Sequence, residues 1–207
     1  MKTAGALALC GALASCAPPG QGALRGVDQP RSGEYVQIVS VSPSLVEIES
    51  SGRIVKAAAP AGGCIPTDSI QTLGRAAFLL IDDCAGGETA GVLSVSISAK
   101  PLALPPERLA RLLRTKQGMA ALGFQTRSDA VSLVEAVVEG DAVIAVIEDR
   151  SGFGPAFAGD LMVRAFTELN GRMTVVTLTS LVDAPRDAKA LREDLGRFVA
   201  ALREANV

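Results

Sequence analysis

The chain has 207 residues, 48% of them hydrophobic, and a net charge of −2: enough apolar material for one ordinary domain plus a tether, and no basic surplus pointing to nucleic acid. It contains no histidine, which removes the commonest general base and metal ligand and makes a Ser-His-Asp or Cys-His arrangement impossible within the chain. Tryptophan is also absent and Tyr35 is the sole tyrosine, so aromatic platforms for stacking bases or sugars are not expected.

Lys2 is followed by an apolar run over residues 3–13, rich in Ala and Leu. A helix needs roughly 20 apolar residues to span a bilayer, so this run is too short. It ends in Leu13-Ala14-Ser15-Cys16, with the small residues a processing site requires. The order resembles the lipobox of bacterial lipoprotein signal peptides. The resemblance implies removal of residues 1–15 as a signal peptide, thioether attachment of diacylglycerol to Cys16, and acylation of the new amine by a fatty acid such as palmitate. Several acyl chains together anchor stably. Cys10 is a poorer candidate for this role, because the bulky Leu9 precedes it where a small residue is wanted. Ala17, where an Asp would signal retention at the inner membrane, implies an outer-membrane location facing the periplasm if the host is Gram-negative. The competing reading is a buried N-terminal helix that contains a cysteine.

Removal of Cys10 and lipidation of Cys16 leave one pair, Cys64 and Cys84. In an oxidising, exported compartment this pair is expected to form a disulfide. It would close a loop of about 20 residues, worth on the order of 3 kcal/mol in the chain-entropy model. A thiol redox or metal site is the alternative, although the spacing fits neither Cys-x-x-Cys nor a tight ligand pair.

Residues 16–34 hold the lipidated cysteine and a stretch rich in Pro, Gly and Gln without apolar periodicity, which reads as a flexible tether. A single domain is expected over residues 35–207. Alternating β-branched residues predict strands at 35–41, 45–49 and 54–57, the last two joined by a Ser50-Ser51-Gly52-Arg53 turn. Residues 59–67 form a Pro/Gly loop, and 69–75 suggest a short turn of helix. The apolar run 76–81 suits a buried strand. Residues 91–98 alternate Val/Ile with Ser and predict another. Pro105 and Pro106 open a helix over 107–114, with Leu109, Leu112 and Leu113 on one face and Arg108, Arg111 and Arg114 elsewhere. Those arginines offer a site for an acidic group or simply a solvated face. Thr115 is a candidate N-cap for a second short helix that Gly123 stops.

Strands are predicted at 131–137 and 142–147, joined by a Glu139-Gly140-Asp141 turn. Two more follow at 161–168 and 173–181, joined by Asn170-Gly171. In the terminal helix Leu191, Leu195, Phe198, Val199 and Leu202 fall on one stripe, with Asp183 or Asp187 as its cap. Together these patterns predict an α+β fold: a largely antiparallel sheet covered on one face by helices, including a long C-terminal amphipathic helix.

The chemical signals are sparse. Gly152-Phe153-Gly154 lacks the third glycine of a dinucleotide loop and joins two strands. Asp82, Asp83, Glu148 and Asp149 at strand ends offer oxygen ligands to a divalent cation, or serve as polar caps; no metal and no cofactor is assigned. The glycine-rich loop 149–160 is the best candidate surface. Arg150, Phe153 and Phe157 there would contact a protein partner or an apolar ligand, unless both rings fold back onto the core edge.

Gly123, the strand pairs, Asn170-Gly171-Arg172 before the Thr-rich strand to Ser180, and the terminal helix resemble the PsbP/Mog1-like group, which includes small bacterial lipoproteins. The resemblance covers the second half of the domain. It implies an accessory or binding module rather than an enzyme and carries over no functional residues. The expected function is therefore that of a lipid-anchored cell-envelope protein binding an unidentified protein partner. The alternative is a small apolar ligand or lipid held between sheet and helix.

Overall fold

A computed structural model describes residues 34–84, 91–119, 130–151 and 156–207. All belong to the unit Arg31–Val207. Strands β1 (Val36–Val41), β2 (Leu45–Ser50) and β3 (Arg53–Ala58) form a three-stranded antiparallel sheet in that order. Alternation buries Val46, Ile48, Val55 and Ala57 on its inner face. The β2–β3 turn needs two left-handed residues, and Ser51 (φ 46°) and Gly52 (φ 81°) supply them.

The second sheet has eight strands: β4 (Gly63–Cys64), β5 (Gln71–Leu73), β6 (Ala76–Asp83), β7 (Val92–Ser98), β8 (Val131–Glu139), β9 (Ala142–Asp149), β10 (Ala158–Leu169) and β11 (Arg172–Leu181). Its order is β4-β6-β7-β11-β10-β9-β8, with β5 beside β4 along the outer edge of β6, and every pairing is antiparallel. The β10–β11 hairpin turns on Asn170 (φ 47°) and Gly171 (φ 72°), as an Asn-Gly pair predicts.

Helix α3 (Ala188–Ala205) packs on β9, β10, β11 and β3. Asp187 caps it, its carboxylate accepting from the Ala190 N–H at 2.8 Å. Leu191, Leu195, Phe198, Val199 and Leu202 are all buried, each worth roughly 1.5–3 kcal/mol of apolar burial. The inner face of the three-stranded sheet joins the same core, meeting Leu79, Val95, Ile97 and Val176 of the larger sheet. Asn206, just after α3, closes the free edge of β3. Its side chain accepts from the Lys56 N–H at 2.8 Å and donates to the Lys56 carbonyl at 2.8 Å.

Three details depart from or add to the sequence expectations. Residues 71–73 are strand, not helix, because the edge of β6 offers Gln71, Thr72 and Leu73 a ladder to pair with. Only one 3₁₀ turn, Thr67–Ser69, precedes them. The helix cover also extends to the other face of the sheet. Helix α1 (Pro106–Leu113), followed by the short α2 (Lys116–Met119), sits over β8 and β9 on the side opposite α3. Finally, α2 is described over Lys116–Met119, and the rest of the expected second helix, to Leu122, lies with Gly123 outside the described residues.

Two of the edge strands carry a bulge with an exposed valine at it: Val39 in β1 and Val134 in β8. A bulge breaks the regular ladder that another chain would extend.

Replacing Leu195 with Ala is expected to cost about 2–5 kcal/mol in urea unfolding. A loss below about 1 kcal/mol would show that α3 does not seal this core. Tyr35 gives a second check. Its hydroxyl donates to the Glu49 carboxylate, and that bond, with the nearby negative charge, raises its pKa above the ordinary value. The raised pKa favours the protonated form in the folded state, so the interaction is intact below pH ~10 and lost as pH rises through the folded pKa. With no other tyrosine and no tryptophan, phenolate absorbance reports this group alone. The titration midpoint should lie above that of unfolded chain and drop in Glu49→Gln; equal midpoints would refute the contact.

Candidate functional site

The end of the large sheet where β6, β9 and β11 terminate gathers most residues that the sequence singled out. Cys64 and Cys84 are joined there as a disulfide, with Cα atoms 5.7 Å apart. The bond links the loop around β4 to the end of β6, where Gly63 pairs with Asp83 and Cys64 with Asp82.

Across the sheet, β9 runs into the loop before β10. Arg150 is anchored through its backbone, its N–H donating to the Ala130 carbonyl at 2.8 Å. Its guanidinium donates to Glu148 at 2.6 Å, an exposed pair worth at most about 1 kcal/mol. Phe157 lies at the other end of this loop, immediately before β10. The Val182 N–H donates to its carbonyl at 3.0 Å, so the β10–β11 ladder continues one step and sets Phe157 opposite Val182. Both side chains stand in solvent, Phe157 at 56% and Val182 at 55% exposure. The Phe157 ring therefore does not fold back onto the core edge. Phe153 lies outside the described residues, as does Cys16.

Val182 was not singled out in the sequence, because it follows the predicted strand and belongs to no motif. Only the cross-strand register pairs it with Phe157. Close backbone packing fixes this end of β11. A Cβ on Gly91 (φ 155°) would fall 2.0 Å from the Thr179 carbonyl oxygen, so that position accepts only glycine.

The four strand-end carboxylates are not drawn together. Asp82 accepts from the Asp83 N–H at 2.8 Å, Glu148 takes Arg150, and Asp149 accepts from the Ser151 N–H at 2.9 Å. Among the described residues no three His, Cys, Asp or Glu side chains are placed to hold one metal ion.

A second group escaped the sequence reading. Arg164, in the middle of β10, faces away from α3 in the row Leu80–Ser94–Thr177–Arg164–Ala145–Ala136. Burial there lowers its pKa, and the negative charge of Asp149 opposes that shift. The only signal in the sequence was one cation inside an apolar alternation, Met162-Val163-Arg164-Ala165-Phe166.

The exposure of Phe157 predicts that Phe157→Ser changes folding stability by no more than about 0.5 kcal/mol. A loss above about 2 kcal/mol in denaturant unfolding would place the ring in the core instead.

No protein-family model, no curated protein and no solved structure matched the chain. The lipobox and PsbP/Mog1-like resemblances thus stand on the residues that carry them.

Proposed function

We propose that this chain is a lipid-anchored protein of the bacterial cell envelope that acts without catalysis, binding a protein partner through the surface built on Phe157 and Val182. The observation that carries this reading is the paired exposure of two large apolar side chains at the end of the sheet. Holding apolar side chains in water forgoes roughly 1.5–3 kcal/mol each, which a covering partner would recover in part. Arg150, at the other end of the loop that leads to Phe157, supplies a residue type enriched in interfaces.

The anchor rests on the Leu13-Ala14-Ser15-Cys16 order, and the outer-membrane assignment on Ala17 after it. The Cys64–Cys84 disulfide is consistent with an oxidising compartment. No helix among the described residues is long and apolar enough to cross a membrane, so in this reading attachment falls to Cys16. The group that the second half resembles serves mostly as accessory and binding modules, which points the same way.

The alternative of an apolar ligand between sheet and helix is less well supported. Leu191, Leu195 and Leu202, all with 0% exposure, occupy the layer beneath α3. Catalysis would have to run on carboxylates, Arg, Lys or Ser alone, because the chain has no histidine.

The test has two arms in the native host. Radiolabelled palmitate should enter the chain and be lost in Cys16→Ala. A photo-crosslinking residue at position 157 should capture a discrete partner, whereas one at Leu73, equally exposed on the opposite end of the sheet's edge, should not. Label without any adduct at 157 would remove the partner reading and keep the anchor. An adduct without label would do the reverse.

A further inference from the structure

The outer surface of α1 and α2 carries charge that the proposed function does not use. Residues 107–116 hold four cations, Arg108, Arg111, Arg114 and Lys116, against one carboxylate, Glu107, in a chain whose overall charge is −2. Helical geometry turns Leu109, Ala110 and Leu113 into the core and leaves Arg108 and Arg111, three residues apart, together on the outside. All four cationic residues are exposed. The Arg114 guanidinium donates to the Ala136 carbonyl at 2.7 Å, which holds its head without neutralising its charge. Among the described residues none of the four has a carboxylate partner within salt-bridge distance. The nearest acidic strand offers none: Glu135 and Glu139 of β8 both accept from Arg192 of α3, at 2.7 and 2.5 Å.

We propose that this basic face docks on the anionic headgroups of the bilayer to which the chain is anchored. The inference rests on the lipid-anchor reading, and its argument is charge complementarity. A cation near an anionic surface gains about 1 kcal/mol, so a cluster of four orients a tethered domain even though it would hold an untethered one only weakly. Because α1 and α3 lie on opposite faces of the sheet, docking through α1 turns the α3 side away from the bilayer. The basic face then sets orientation while Cys16 supplies attachment.

The experiment uses the lipidated full chain in phosphatidylcholine vesicles and in vesicles of phosphatidylcholine with phosphatidylglycerol. Arginine side chains are footprinted with a dicarbonyl reagent and read by mass spectrometry, with Arg75 as internal reference. Labelling of Arg108 and Arg111 should fall roughly fivefold on the phosphatidylglycerol vesicles alone, and molar salt should restore it. In Arg108→Gln/Arg111→Gln, loss of α1 docking should restore labelling of Arg114 on those vesicles. Equal labelling of Arg108 and Arg111 on both lipids overturns the proposal. Protection found in native envelopes but not on phosphatidylglycerol also overturns it and points to an acidic macromolecule. Flotation on phosphatidylcholine alone reports the anchor separately. A chain that fails to float there loses the anchor reading, and its salt-sensitive flotation on phosphatidylglycerol, weakened about fivefold per cation removed, still decides the basic face.

Discussion

Six consecutive apolar residues in β9, from Ala142 to Ile147, constrain the whole domain. None is more than 4% exposed. Successive side chains on a strand point to opposite faces, so Ala142, Ile144 and Val146 must be covered from one side and Val143, Ala145 and Ile147 from the other. A sheet with one wet face cannot satisfy them. The α3 stripe covers the first set, and α1, reached by the long connection after β7, covers the second.

That two-sided cover divides the surface chemically. The α3 side is stitched to the β8–β9 hairpin by charge: Arg192 bridges Glu135 and Glu139, and Arg203 reaches Asp141 and Thr167. These carboxylates raise the Arg192 pKa, the Glu139 hydrogen bond foremost. On the α1 side, Arg108, Arg111, Arg114 and Lys116 have no carboxylate within salt-bridge distance among the described residues. Among the described residues, Phe157 and Val182 form an exposed apolar cross-strand pair at the sheet end. The basic face and the apolar pair are thus separate features of one sheet.

Much of this was legible in the residues. The alternation of β7, the Asn170-Gly171 turn and the α3 stripe each impose a local geometry that needs no distant partner to be recognised. Cys64 and Cys84 were paired by elimination rather than by any view of the loop. One misread stretch is 69–75, where Gln71, Thr72 and Leu73 are all exposed and carry no burial pattern. Their conformation follows from the ladder that β6 presents, which no local pattern encodes.

The sequence alone determined most element types and turn positions, an acidic cap at Asp183 or Asp187, and the absence of histidine chemistry, because these depend on side-chain identity over a few residues. It also held the Leu13-Ala14-Ser15-Cys16 order, whose resemblance to a lipobox motivates the proposed anchor. Tertiary structure decided the rest. It placed β7 beside β11, split the strands into two sheets, set α1 opposite α3, and brought Val182 against Phe157. These outcomes depend on which hydrophobic faces find each other across long stretches of chain, a competition settled by packing the whole core at once.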